Sequence, residues 1–170
     1  MKHQLLEKII RAAIEAGEAI MEVYATDFTV DLKSDNSPLT KADMMANAII
    51  TKVLETTSYP VVSEEGRPTS FHIRESWTQF WLVDPLDGTK EFVNRNGEFS
   101  VNIALVDNKK PVMGVIYAPV TDTLYFSDEE GAWKLEHAQG VVIVNGSISN
   151  LKLQSKQLPL QRITRDYTIV

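Results

Sequence analysis

Apolar residues recur at three- and four-residue spacing from Leu6 through Ile9, Ile10, Ala13, Ala16 and Ile20 to Val23, and the positions between them carry charges. This predicts an amphipathic helix over residues 1–24. Glu7, Arg11, Glu15 and Glu18 interrupt the apolar residues too early for a secretory signal. No run of about 18 apolar residues exists to span a membrane. Phe28-Thr-Val-Asp-Leu-Lys33 alternates like a half-buried strand. Beyond it the helical period returns, with Ser37 expected as the cap and Pro38 in the first turn. Ala42, Met45, Ile49 and Val53 would form its core face, ending near Thr56.

Tyr59-Pro-Val-Val-Ser and Phe80 to Val83 read as short strands that run into acidic residues. From Glu98 the pattern is strand-rich: Glu98 to Asp107, Pro111 to Ala118, Thr123 to Ser127 and Ala132 to Leu135, separated by polar or Gly-containing turns, predict an antiparallel meander. Val141 to Val144 is a further short apolar run between Gly140 and Gly146. Two early helices against antiparallel strands make an α+β layer. There is no internal repeat, low-complexity tract or long linker.

Composition narrows the class further. With 170 residues, 44% hydrophobic and 24% charged, the chain can bury one sizeable core. It has no Cys, which excludes disulfides and thiolate zinc sites and is compatible with a reducing compartment. The net charge of −6 argues against a general nucleic-acid-binding surface, while a small basic pocket still admits a nucleotide.

The candidate chemistry sits in Trp81-Leu-Val-Asp84-Pro-Leu-Asp87-Gly-Thr89, where two carboxylates lie three residues apart as an apolar strand ends. Pro85 presets a turn there, and Gly88 lets backbone approach a ligand closely. Asp84 and Asp87 can then point into one cleft. Hard oxygen ligands of this kind suit Mg²⁺, held by one or two carboxylates with substrate phosphate and water. A helix starting after Gly88-Thr89 would favour an anion at its first N–H groups. Tyr59-Pro-Val-Val-Ser-Glu64-Glu65-Gly66 can bring Glu64 to the same cleft, and Asp43 stands near a helix start downstream of Lys33-Ser-Asp35-Asn-Ser-Pro38.

The ordered set K-x-D-x-S-P-x-T-x-A-D, V-S-E-E-G and W-L-V-D-P-L-D-G-T resembles the Mg²⁺-dependent, lithium-sensitive phosphatases typified by inositol monophosphatase. Thr89-Lys90-Glu91-Phe92-Val93 is similar to the 3'(2'),5'-bisphosphate nucleotidase branch of that superfamily. The likeness runs from about residue 5 to about residue 135. It implies that residues 1–160 are an N-terminal metal-binding domain, and that residues 161–170 open a C-terminal α/β domain. No Trp-Asp pair of the kind that marks that second domain occurs here, so the chain is expected to be the N-terminal portion of a longer enzyme.

The resemblance also implies roles. Glu64 and Asp84 would hold a first Mg²⁺ with the carbonyl of Leu86, and Asp84 would bridge to a second that Asp87 binds, for two or three ions in all. Asp43 and Thr89, with Glu64, would make up the catalytic set that positions or deprotonates the attacking water. Glu64, Leu86, Asp87, Gly88 and Thr89 would meet the phosphate. The implied substrate is a small phosphorylated nucleotide, 3'-phosphoadenosine 5'-phosphate, cleaved to AMP and phosphate. Inositol monophosphate, fructose 1,6-bisphosphate and a noncatalytic metal- or phosphate-binding fragment are the alternatives. The implied location is cytoplasmic, free or loosely attached to the inner membrane face, with the oligomeric state open.

Elsewhere ordinary structure is expected. His3, His72 and His137 read as surface or loop residues, Lys109-Lys110 and Asp128-Glu129-Glu130-Gly131 as hairpin turns, and Trp77 and Trp81 as core.

Overall fold

Helix α1 (Lys2–Tyr24) forms where the apolar period places it, and all seven of its expected core positions are buried. The computed structural model describes residues 2–32, 38–145 and 147–159. A Gly in a helix interior costs roughly 0.5–1 kcal/mol relative to Ala, yet Gly17 has a packing reason to be there. A Cβ at Gly17 would lie 2.4 Å from Cε1 of Tyr117, so the missing side chain lets α1 settle onto the sheet. Tyr117 is itself buried and donates its hydroxyl to Asp122 Oδ1 at 3.0 Å.

The second helix starts later than its sequence suggests. Strands β1 (Val30–Leu32) and β2 (Pro38–Thr40) pair antiparallel, so Pro38 is extended and the helix α2 (Lys41–Leu54) is capped by Thr40. The expected cap, Ser37, lies outside the described residues. The deepest face of α2 is Ala42, Ala46, Ile50 and Leu54, while the expected Met45, Ile49 and Val53 are partly buried on its flank. Small residues on the deep side suit a helix wedged against both α1 and the sheet. Asp43, in the first turn of α2, is 1% exposed.

Seven strands make the sheet: β3 (Val61–Ser63), β4 (Gln79–Asp87), β5 (Ser100–Asp107), β6 (Lys110–Ala118), β7 (Thr123–Asp128), β8 (Gly131–Glu136) and β9 (Lys156–Gln157), in that order. The sheet is mixed rather than wholly antiparallel. β3 runs parallel to β4, because the connection through the short helix α3 (Phe71–Arg74) returns the chain to the same end before β4 begins. The remaining pairs are antiparallel: β5 to β8 follow the predicted meander, and β4 and β9 add antiparallel neighbours at its two sides that the pattern does not mark. Helices α1 and α2 cover one face, which buries Trp81, Val83, Val101, Ile103, Val115 and Phe126 against them.

β4 continues past the expected turn at Pro85. A register shift between Asp84 and Asp87 takes one extra residue into the strand, which accommodates a proline that has no N–H to give the ladder. After Gly88 the helix α4 (Thr89–Val93) begins. The run Val141 to Val144 falls in the helix α5 (Ala138–Asn145), which with α6 (Ile148–Gln154) packs on α1. The acidic turn between β7 and β8 holds Lys152, whose Nζ lies 2.7 Å from Asp128, 2.8 Å from Glu130 and 4.2 Å above the Trp133 ring. His3, His72 and His137 are exposed, Trp77 is half-buried and Trp81 is fully buried. Among the described residues no helix is long and apolar enough to cross a membrane. Gly146 and the segment 161–170 lie outside the described residues.

Gly17→Ala should lower stability by roughly 1–3 kcal/mol through overpacking against Tyr117, despite the better helix propensity of Ala. Urea unfolding checks this, and an unchanged or higher midpoint would mean that Tyr117 yields without cost.

Candidate functional site

Three segments deliver the acidic residues to one end of the sheet. β3 ends at Ser63, and the amide of Glu64 donates to the Val83 carbonyl at 3.0 Å, so the parallel ladder carries Glu64 to the level of Asp84. Ser63 Oγ donates to Asn47 Oδ1 at 2.7 Å and ties this end of β3 to α2. Asp84 pairs in register with Asn102 of β5, and after the bulge Asp87 pairs with Ser100. Asn102 Nδ2 donates to Asp87 Oδ2 at 3.0 Å, so Asn102 stands opposite one aspartate in the ladder and holds the other by its side chain.

Asp84 is the group under most electrostatic stress. Burial, then the negative charges of Glu64 and Asp87, push its carboxyl up to about 7 from an ordinary 3.8. Its Oδ1 is buried with no hydrogen-bond partner among the described residues. A buried orphan oxygen between two further carboxylates fits a hard cation, and the donor set of carboxylates and the Leu86 carbonyl is the chemistry that Mg²⁺ takes. Among the described residues no group of three His, Cys, Asp or Glu side chains closes into a ready-made cage. A cation here would complete its shell with water or substrate oxygens, which is usual for Mg²⁺.

A second group adjoins the first. Thr89, at the start of α4, places its hydroxyl 3.1 Å from Asp43 Oδ1 and 3.3 Å from the Leu86 carbonyl. Asp43 is held in turn by Thr40, whose amide and hydroxyl donate to Oδ2 at 2.7 and 2.6 Å in a capping box. Gly88 sits between Asp87 and Thr89 with φ 97°, and a Cβ there would lie 2.8 Å from the Glu98 carbonyl. Only glycine fits that left-handed, crowded position comfortably.

The structure therefore joins Asp43, Leu86 and Thr89 by hydrogen bonds, and couples Glu64, Asp84 and Asp87 by charge. Glu64 and Asp87 are exposed, Asp84, Gly88 and Thr89 are half-buried, and Leu86 is buried. Sequence reasoning missed Thr40 and Asn102. A capping-box reading of Thr40 three residues before Asp43 was open to the eye, whereas nothing local marks Asn102.

Helices on one face of a mixed sheet, with carboxylates gathered where its second strand bulges, define an inositol monophosphatase-like fold. The chain belongs to the inositol monophosphatase family, whose profile matches residues 1–163. It is 49% identical over 136 residues to a protein from Escherichia coli called 3'(2'),5'-bisphosphate nucleotidase CysQ, covering 78% of this chain and 55% of that one. A CysQ from Salmonella typhimurium is 44% identical over 168 residues, which is 96% of this chain and 65% of the relative. Among solved structures, CysQ from Bacteroides thetaiotaomicron superposes with a TM-score of 0.82 at 44% identity, over 96% of this chain and 60% of that one. The extragenic suppressor protein suhB from Bartonella henselae gives 0.68 at 31% identity, over 77% and 52%. The chain thus spans between half and two thirds of the length of these relatives.

The raised Asp84 binds its proton more tightly in the folded chain than in the unfolded one, so metal-free stability should fall as pH rises from about 4 through about 7. Millimolar Mg²⁺ or Ca²⁺ should restore it above pH 7 by binding the folded state. Asp84→Asn should flatten both responses in thermal melts. A wild-type curve indifferent to pH and cation would show that the three carboxylates do not share a site.

Proposed function

We propose that this chain contributes the metal- and water-handling part of a Mg²⁺-dependent phosphatase that converts 3'-phosphoadenosine 5'-phosphate to AMP and phosphate. The observation that carries the reading is the contact of Thr89 with both Asp43 and the Leu86 carbonyl, beside the Glu64, Asp84 and Asp87 carboxylates. The CysQ relatives support the nucleotide substrate over inositol monophosphate or fructose 1,6-bisphosphate.

Glu64, Asp84, Asp87 and the Leu86 carbonyl would hold two or three Mg²⁺ ions, which would lower the pKa of water and neutralise phosphate charge. The chain's own residues do the remaining work. Thr89 donates its proton inward, so its oxygen is left as an acceptor toward the cleft. From there it can orient a water and take one of its protons while passing its own to Asp43 Oδ1, as the water oxygen attacks phosphorus in line with the ester oxygen that leaves. Asp43 holds Thr89 in that role. Amides at the start of α4, exposed to a ligand by the turn at Gly88, would bind phosphate oxygens.

Phosphate release from 3'-phosphoadenosine 5'-phosphate, inositol 1-phosphate and fructose 1,6-bisphosphate, with Mg²⁺ and with added Li⁺, tests this directly. Lithium-inhibited turnover of the nucleotide is expected, and Asp43→Asn or Thr89→Ala should lower kcat by about 10²–10⁴-fold while leaving the Mg²⁺-induced rise in Tm intact. Turnover of another substrate alone would overturn the nucleotide reading. Silence on all three would reduce the chain to a noncatalytic metal- or phosphate-binding fragment.

Asn102→Ala removes the amide that holds Asp87 and should raise the Mg²⁺ concentration needed for half-maximal stabilisation by about 10-fold or more. Equal midpoints in a Mg²⁺ titration of Tm would show that Asp87 needs no such support.

A further inference from the structure

We infer that Thr40 is a positioning residue for the hydrolytic step, because its hydroxyl decides which acceptor the Thr89 proton points to. This rests on the phosphatase reading, in which Thr89 faces the attacking water.

The direction of each proton follows from the geometry. Thr40 Oγ1 accepts the Ala42 amide at 3.2 Å, so its single proton is available to Asp43 Oδ2, 2.6 Å away. The Thr40 amide gives Oδ2 a second hydrogen bond at 2.7 Å. With Oδ2 fixed by two donors, the Asp43 carboxyl group cannot swing, and Oδ1 is held toward Thr89. Thr89 has one proton and two acceptors within reach, Asp43 Oδ1 at 3.1 Å and the Leu86 carbonyl at 3.3 Å. A carboxyl oxygen locked in place takes that proton; a loosened one leaves it to the Leu86 carbonyl. The second arrangement re-aims the Thr89 lone pairs and occupies the Leu86 carbonyl, which the first leaves available. Thr40 and Asp43 are 2% and 1% exposed, so bulk water does not substitute for a deleted hydroxyl.

A plain helix cap would show a different pattern. Glycine is nearly as good a cap as threonine, serine keeps both cap and hydroxyl, and valine keeps neither. With 3'-phosphoadenosine 5'-phosphate and Mg²⁺, Thr40→Gly and Thr40→Val should each lower kcat on the order of tenfold with KM unchanged, and Thr40→Ser should restore it. If Thr40→Gly keeps the wild-type kcat, Thr40 is only a cap and the inference fails. A second measurement needs no turnover: Tm for Thr40→Val, Thr89→Ala and the pair. Among the described residues the hydrogen bonds connect Thr40 to Thr89 through Asp43, so the loss in the double variant should be smaller than the two single losses together. Additive losses would overturn the inference. If the wild type releases no phosphate, the phosphatase reading fails by itself, and the Tm cycle alone decides whether Thr40 governs Thr89.

Discussion

The extra residue in β4 between Asp84 and Asp87 is the constraint on which the site depends. β4 is paired on both edges, parallel to β3 and antiparallel to β5, and its inward side chains Trp81 and Val83 are buried under the helices. Such a strand has no freedom to drift. An ordinary ladder would send successive side chains to opposite faces, and a one-residue slip would reverse them all. The bulge makes that reversal once, locally, so that Asn102 opposes Asp84 in register and still reaches Asp87. Pro85 belongs there because a bulge forgoes a ladder hydrogen bond. Gly88 then accepts the left-handed turn that starts α4 and aims Thr89 back at Asp43.

What the sequence makes legible is what local spacing controls. The period of α1 is complete, the hairpins from β5 to β8 follow alternation and turn residues, and two aspartates three apart beside a glycine mark the candidate site. The misplaced features all depend on contacts distant in sequence. The start of α2 shifts to Thr40 because β1 pairs with β2 and holds Pro38 extended. Pro85 signals a turn when only its neighbours in sequence are considered, and it becomes part of a strand because the ladder with β5 accommodates it at the bulge. The direction of β3 depends on a crossover whose helix, α3, is only four residues long. Gly17 gives no hint of its purpose until Tyr117 lies across it. Asn102 is one polar residue in an apolar strand, and its partner is fixed only by register.

Two aspartates in this candidate site have opposite circumstances, and the difference supports different roles for them in the proposed reading. Asp43 receives donors on both oxygens, from the Thr40 amide, the Thr40 hydroxyl and the Thr89 hydroxyl. A side chain bonded on both oxygens by Thr40 and Thr89 is fixed in place and holds its neighbour. Asp84 is partly buried, leaves Oδ1 without a hydrogen-bond partner among the described residues and sits against the charges of Glu64 and Asp87. That arrangement is unfavourable for the fold taken alone, because a buried charge needs a partner and a buried polar atom needs a hydrogen bond. It becomes favourable with a cation, which relieves repulsion and satisfies the orphan oxygen in one event. In the phosphatase reading proposed above, the capping box rigidifies the part that would orient, while the bulge concentrates unmet demand in the part that would bind. Leu86 and Thr89 lie between the two, so a cation drawn to the carboxylates would arrive beside a hydroxyl already set in direction.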